Sequence, residues 1–429
     1  MGLASVSLKN KTRYFHMTHW KNNYSAPSVT RELNVLSIHR LDHAKAASDF
    51  KRVLAQGIYS AKYTAFEITF DEISTTFPNA IVPIACIIDS LREKGVEFTF
   101  NNVPSFLQNT EMLQPKLFEN NSRHILNTVW KFSSSDEVGK LVRAYIQELQ
   151  KSAHFYKGML NSIEWSLYEV MDNVIQHSKV GIGYVMGQIH QTAKQIAFTV
   201  SDMGQGIYNS LKQSDHNPRN PVDAITLAIR EEVTRDKSIG QGNGLFGLHS
   251  IVKQGHGKLA ITSDSGSYCY YTNNPKTYSD LPRIAADYPG TIVDFQLGYD
   301  KDMSLDKALV FRGQVYNIVN INYDEFEDEF GRIVYSIADR AEGTGTRESA
   351  IRVKNELFNI LVEQQKPITI DFSGVEVMSS SFADELLAKL LLELGLFQFN
   401  NLIKIKGLDK TQQSILHRSV IQRMKEIVQ

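Results

Sequence analysis

Residues 166–178 read SLYEVMDNVIQHS and place Glu169, Asn173 and His177 at intervals of four. In a helix this spacing puts a carboxylate, a carboxamide and an imidazole on one face, each a turn from the next. A solvated face of an amphipathic helix would satisfy the spacing equally well. The reading turns on two glycine-bearing stretches that follow in order: Asp202-Met203-Gly204-Gln205-Gly206, and Gly240-Gln241-Gly242-Asn243-Gly244-Leu245-Phe246-Gly247. Glycine clusters of this kind stand where a backbone turns sharply or comes close to a ligand.

Each stretch has its own chemistry. Glu169 would reach an attacking water or hydroxyl and orient or deprotonate it. Asn173 offers Mg2+ a hard oxygen ligand without adding a charge. His177 would sit near a phosphate or support the helix end. Asp202 closes the apolar run IAFTVSD, and its carboxylate can accept from an exocyclic amine such as that of adenine. Gly204 and Gly206 let the chain pass beneath the base, although D-x-G-x-G alone is also an ordinary strand-to-loop turn. Gly242, Gly244 and Gly247 feed a helix whose first N–H groups and positive dipole end face anionic oxygens. By itself such a loop serves equally as a hinge. In this order, the set describes a pocket for a nucleotide and its metal ion.

The chain has 429 residues, more than one ordinary core and enough for two or three domains. With 42% apolar residues, 22% charged and a formal net charge of −1, it exerts no overall pull on nucleic acid or an anionic membrane. Two cysteines, Cys86 and Cys269, argue against a disulfide framework or structural zinc and for a cytoplasmic setting. The N-terminal MGLASVSLKNKTRYFH lacks the apolar run of a signal peptide, and Val6 stands where an acylation motif wants Ser or Thr. No stretch is long and apolar enough to span a bilayer. The apolar piece Leu386 to Leu396 carries Lys389 and Glu393 and reads as an amphipathic helix.

The expected fold class is α/β. In residues 1–115 a helix (Ala44 to Leu54), a strand (Thr64 to Phe70), an apolar helix (Ala80 to Arg92) and a strand (Val96 to Phe100) follow one another, a βαβ pattern. Residues 116–135, rich in Asn and Ser, read as a connector. Residues 136–300 carry the motifs. Ser134 to Glu137 opens a helix toward Lys151, since Ser and Asp satisfy the free N–H groups of a first turn. A helix from Leu160 to His177 follows, then strands Gly183 to His190 and Gln195 to Ser201, a lid-like segment over 208–241, a helix from Leu245 to Gln254, and three further strands. Residues 301–429 repeat the pattern of the first block: a helix (Ser349 to Gln364), a strand (Ile368 to Phe372), a serine-rich turn, a helix (Ala383 to Leu394) and a strand (Leu402 to Ile405).

On these motifs, residues 160–297 resemble the ATP-binding domain of the GHKL superfamily (gyrase, heat-shock chaperones, histidine kinases), the Bergerat fold. Glu169 to His177 matches its N box, Asp202 to Gly206 its first glycine box, and Gly242 to Gly247 its second. Gly290-Thr291 leads a final strand, as a Gly-Thr pair does in many members. The resemblance implies an α/β sandwich, Mg-ATP as ligand, Asn173 on the metal, Asp202 on the adenine amine and a mobile lid. The second glycine box departs from the commoner G-x-G-L-G by reading G-N-G-L-F-G. No distal lysine stands out to touch the γ-phosphate, and Arg230, Arg235 and Lys237 of the lid are the substitutes.

Residues 368–391, ITIDFSGVEVMSSSFADELLAKLL, resemble the STAS and STAS-like modules of bacterial regulators. In anti-anti-sigma members the turn serine accepts phosphate from a GHKL serine kinase, which makes Ser380 or Ser381 the candidate acceptor. Ser379 replaces the usual Asp and Phe382 the usual Gly. Structurally, Ser380 would cap the helix that follows. The first block resembles the same module more faintly, through FEITFDEISTTFPNAIVPIACII, with Thr75 and Thr76 in its turn. The expectation is therefore an ATP-binding switch hydrolysing Mg-ATP through Glu169 and signalling through its flanking modules to a protein partner, with room for a homodimer. The alternative is a serine kinase of the anti-sigma type. Glu169 speaks against the histidine-kinase branch, and His154 lacks the acidic residue that follows a phosphoacceptor histidine.

Overall fold

The computed structural model describes residues 26–119, 124–212, 214–231, 233, 243–284, 289–311, 314–315 and 321–428. The chain is α/β throughout. Its first block opens with β1 (Val29–Glu32) and β2 (Val35–Ile38), a hairpin turned at Leu33, whose φ is 53°. Helix α1 (Lys45–Ala55) runs into a π-helical turn, Gln56–Ser60. Then come β3 (Ala65–Phe70), α2 (Pro78–Arg92), β4 (Glu97–Asn101) and the short α3 (Ser105–Gln108). β2, β3 and β4 lie parallel, in chain order.

The central block begins with β5 (Lys116–Leu117), β6 (Trp130–Phe132), α4 (Ser135–Ser152), α5 (Met159–His177), β7 (Gly183–His190) and β8 (Gln195–Asp202). It continues with α6 (Gly206–Lys212), α7 (Pro221–Ala228), α8 (Gly244–Gln254), β9 (Lys258–Ser263), β10 (Gly266–Tyr271) and β11 (Asn274–Tyr278). β12 (Thr291–Gly298), α9 (Leu305–Ala308) and the pair β13 (Val310–Phe311) and β14 (Gln314–Val315) follow. Eight strands form one sheet in the order β11-β10-β9-β12-β8-β7-β6-β5. The pairing is antiparallel except between β5 and β6. Residues 116–135, expected as a connector, thus supply the edge strand β5 and its neighbour β6. Trp130 and Phe132 turn into the core, and three residues are too few for such an alternation to stand out in a polar stretch.

Alternation along β8 builds both faces of that sheet. Ile196, Phe198 and Val200 join the core under α4, α5 and α8. Thr199 faces the reverse, where its Oγ1 donates to Asp294 Oδ1 at 2.8 Å while Asn79 Nδ2 of α2 donates to Oδ2 at 3.3 Å. Every residue of α2 from Pro78 to Ile88 is buried. A helix apolar on all sides belongs between two layers. Here the layers are the sheet of the first block and the reverse of the eight-stranded one, where Tyr184 and Met186 share a core with Ile81 and Ile84. Pro78 at the helix start gives up an N–H that had no helical partner.

Caps set the remaining helices. Ser134 Oγ accepts from Glu137 N at 3.3 Å, and the Glu137 carboxylate accepts from Ser133 N at 2.6 Å, a reciprocal cap that starts α4. The central core runs past residue 300, since Met303, Ala308 and Leu309 pack within it. The lid-like segment is folded in its first half, where α6 and α7 meet through Leu211, Ala224 and Ala228. Residues 234–242 lie outside the described residues.

The last block holds β15 (Ile333–Ser336), α10 (Ile337–Arg340), α11 (Arg347–Gln364) and β16 (Ile368–Asp371), then α12 (Ser380–Ala383) and α13 (Lys389–Leu394) joined by a π-helical stretch. α14 (Leu396–Leu402), β17 (Ile403–Lys406) and α15 (Lys410–Val428) complete it. β15, β16 and β17 are parallel and adjacent in chain order, the same succession as β2, β3 and β4. Among the described residues no helix is long and apolar enough to cross a membrane.

Candidate functional site

Helix α5 delivers Glu169, Asn173 and His177 to the wall of one cleft of about 390 Å3. Its opposite stripe, Leu160, Leu167 and Met171, is sunk in the core, which fixes the polar row toward the opening. Asp202 reaches the same cleft from the end of β8, and Gly206, Gly244 and Thr291 line it too. Three motifs distant in sequence therefore converge on one space of the size that small-molecule sites have.

Close backbone approach explains two of the glycines. A Cβ at Gly244 would fall 2.5 Å from Glu169 Oε2 and 3.2 Å from Asn173 Nδ2, so the start of α8 lies directly against the polar row of α5. A Cβ at Gly204 would fall 2.3 Å from the carbonyl oxygen of Ser178. The loop after β8 is laced to the end of α5: Gln205 N donates to Ser178 O at 2.9 Å, and Gln205 Nε2 to His177 O at 2.6 Å. Gly204 N donates to Asp202 Oδ1 at 2.7 Å and orients the carboxylate. Gly247 packs under Trp165. Gly242, with Arg235 and Lys237, lies outside the described residues, and Arg230 does not line the cleft.

Burial dominates the electrostatics. It pushes the Glu169 carboxyl up to about 7, with help from the nearby Asp172 charge. Burial likewise pushes Asp202 up to about 7, opposed by the Gly204 N–H and by the Lys51 ammonium of the first block. A carboxyl poised near neutrality and facing a cleft is what general-base chemistry requires.

Sequence reasoning missed the apolar part of the wall. Trp165, Ile207, Leu211 and Phe311 line the cleft. Trp165 stands four residues before Glu169 and so extends the row by a turn, a signal present in the spacing. Phe311, beyond the last strand of the sheet, carried none; it meets Phe246 with ring centroids 6.0 Å apart.

The serine-rich turn is elsewhere. Ser379, not Ser380, caps α12: its Oγ accepts from Phe382 N at 3.0 Å and lies 3.0 Å from Ser381 Oγ. The replacement of Asp by Ser at 379 keeps a capping oxygen, which explains why the cap sits one residue earlier than expected. Ser380 is exposed and Ser381 half-buried, and neither lines the cleft. His154 stacks on Phe358 with centroids 4.3 Å apart, and burial holds its imidazole below the usual value.

No curated protein matches the chain in sequence. Residues 349–413 match the STAS-like domain of unknown function (DUF4325), so the last block is similar to that STAS-like family over α11 to the start of α15.

Proposed function

We propose that the chain is an ATP-binding regulatory protein, with Mg-ATP held between α5, the end of β8 and the start of α8 in the manner of a GHKL domain, and hydrolysed with Glu169 as base. The observation that carries this reading is the convergence of Glu169, Asn173, Asp202 and Gly244 on one cleft. The residues suit the ligand. Asn173 would hold magnesium, which prefers oxygen donors and few protein ligands and supplies neutralisation of phosphate charge when bound. Asp202 would accept from the adenine amine. The start of α8 at Gly244, brought against α5, would turn its first N–H groups toward phosphate oxygens.

The pH dependence follows from the two carboxyls. Glu169 accepts a proton only when ionised, so turnover is full above about pH 8 and falls as pH drops through 7, by about tenfold at pH 6. An ionised Asp202 accepts from the amine more strongly than a protonated one, so nucleotide affinity falls over the same range. Both folded-state values are raised, so ionisation of these groups costs the empty protein stability as pH rises through 7. Turnover at saturating Mg-ATP and affinity, each measured from pH 6 to 8.5, separate the two carboxyls.

A serine kinase of the anti-sigma type would use the same cleft. Ser380 and Ser381 do not line it, which disfavours transfer within one chain in this arrangement. Incubation with labelled Mg-ATP decides: free phosphate without labelled protein supports the switch, and labelled protein at these serines supports the kinase. Absence of bound nucleotide sinks both.

A further inference from the structure

One face of α11 presents Arg352, Asn355, Asn359 and Glu363 at intervals of three, four and four, a single stripe. All four reach the elbow between α4 and α5. Arg352 donates through both Nη atoms to the Glu148 carboxylate, at 3.2 and 3.0 Å. Asn355 Nδ2 donates to Lys151 O at 3.0 Å. The fully buried Asn359 donates to Gln150 O at 2.9 Å and Ala153 O at 2.8 Å, and its Oδ1 accepts from Phe155 N at 2.8 Å. Glu363 Oε1 accepts from Gly158 N at 2.7 Å, and Oε2 from Asn161 Nδ2 at 3.3 Å.

These are the groups that a helix end cannot satisfy for itself: the last carbonyls of α4 and the N–H at the start of α5. Helix α5 cannot carry its own capping side chain. Its N-cap is Gly158, at φ 74°, where a Cβ would fall 2.1 Å from Met303 O. The acceptor favoured at a helix start comes instead from the STAS-like module, as the Glu363 carboxyl, which burial pushes up to about 7. Phe311, which precedes that module in the chain, also lines the cleft.

We propose that the C-terminal module completes the site-bearing helix: Glu363 and Asn359 are positioning residues that fix α5, and through it Glu169 and Asn173, so docking of this module sets turnover in the cleft. This rests on the function proposed above. Glu169 stands eleven residues beyond Gly158 on the same helix, about 16 Å along its axis, and catalysis is far more sensitive to small misplacement than is binding shared among many contacts.

The test uses the full chain. In the nucleotide-free protein, Glu363→Ala speeds amide exchange at Gly158 and the first turn of α5. In turnover it lowers kcat about tenfold with KM for Mg-ATP within about twofold, while Glu363→Gln, which keeps an acceptor, restores at least half of the rate. Asn161→Ala, removing only the second donor, gives the same signature more weakly and serves if Glu363→Ala does not fold. Faster exchange with kcat and KM unchanged makes Glu363 merely structural and overturns the proposal, as does unchanged exchange. Failure of the wild-type chain to bind Mg-ATP overturns the underlying function instead, and the positioning role with it.

Discussion

Asn173→Ala abolishes Mg-ATP binding while leaving the protein folded. The carboxamide stands half-buried on the cleft side of α5, and alanine is the best helix former, so the helix does not suffer. The metal loses its one protein oxygen in the proposed arrangement, and the phosphates lose the charge that the metal supplies. Affinity falls by at least about a hundredfold, or about 2.7 kcal/mol, read by calorimetric titration with a non-hydrolysable analogue and magnesium, with an unchanged melting temperature as control. Asp202→Ala gives a similar loss through the base. It is the less clean variant, because Asp202 Oδ1 also accepts from Gly204 N and its removal loosens the loop. Wild-type affinity in Asn173→Ala would move the metal site away from α5.

Glu169→Ala separates binding from chemistry. Its carboxylate lies against the start of α8, close to where a Gly244 Cβ would be, and burial holds its pKa near neutrality. A group used as a base contributes in the transition state and little in the ground state. Turnover therefore drops about 10²- to 10⁴-fold, whereas the dissociation constant stays within about threefold of wild type. Single-turnover phosphate release and equilibrium titration read the two quantities. Normal hydrolysis by this variant would remove Glu169 from the role.

The polar row of α5 was legible because period and chemistry agree: Glu169, Asn173 and His177 share a face in any helix covering them, and the helix was signalled by its length and pattern. Asp202 was legible from the alternation of the strand that it ends. Other parts depend on partners far along the chain. β6 is a strand because β7 pairs with it, and nothing within three residues announces that. The hairpin of β1 and β2 turns at Leu33 in a left-handed conformation, without the glycine that would have marked it. Phe311 joins the cleft only because α9 folds back on α8. The apolarity of α2 announced a buried helix, but not that a second sheet covers its other side.

That second cover has a consequence for how far this chain can be taken apart. Proteins of several blocks are commonly pictured as beads, each able to be clipped off or grafted elsewhere. Here α2 is a plank glued on both broad surfaces, one belonging to each neighbour. Excising the leading bead would strip the central sheet down to an oily flank, and transplanting it would carry an equally sticky slab. The two pieces are joined by a shared oily seam, whereas the contact of α11 with the α4–α5 elbow is a clasp of hydrogen bonds.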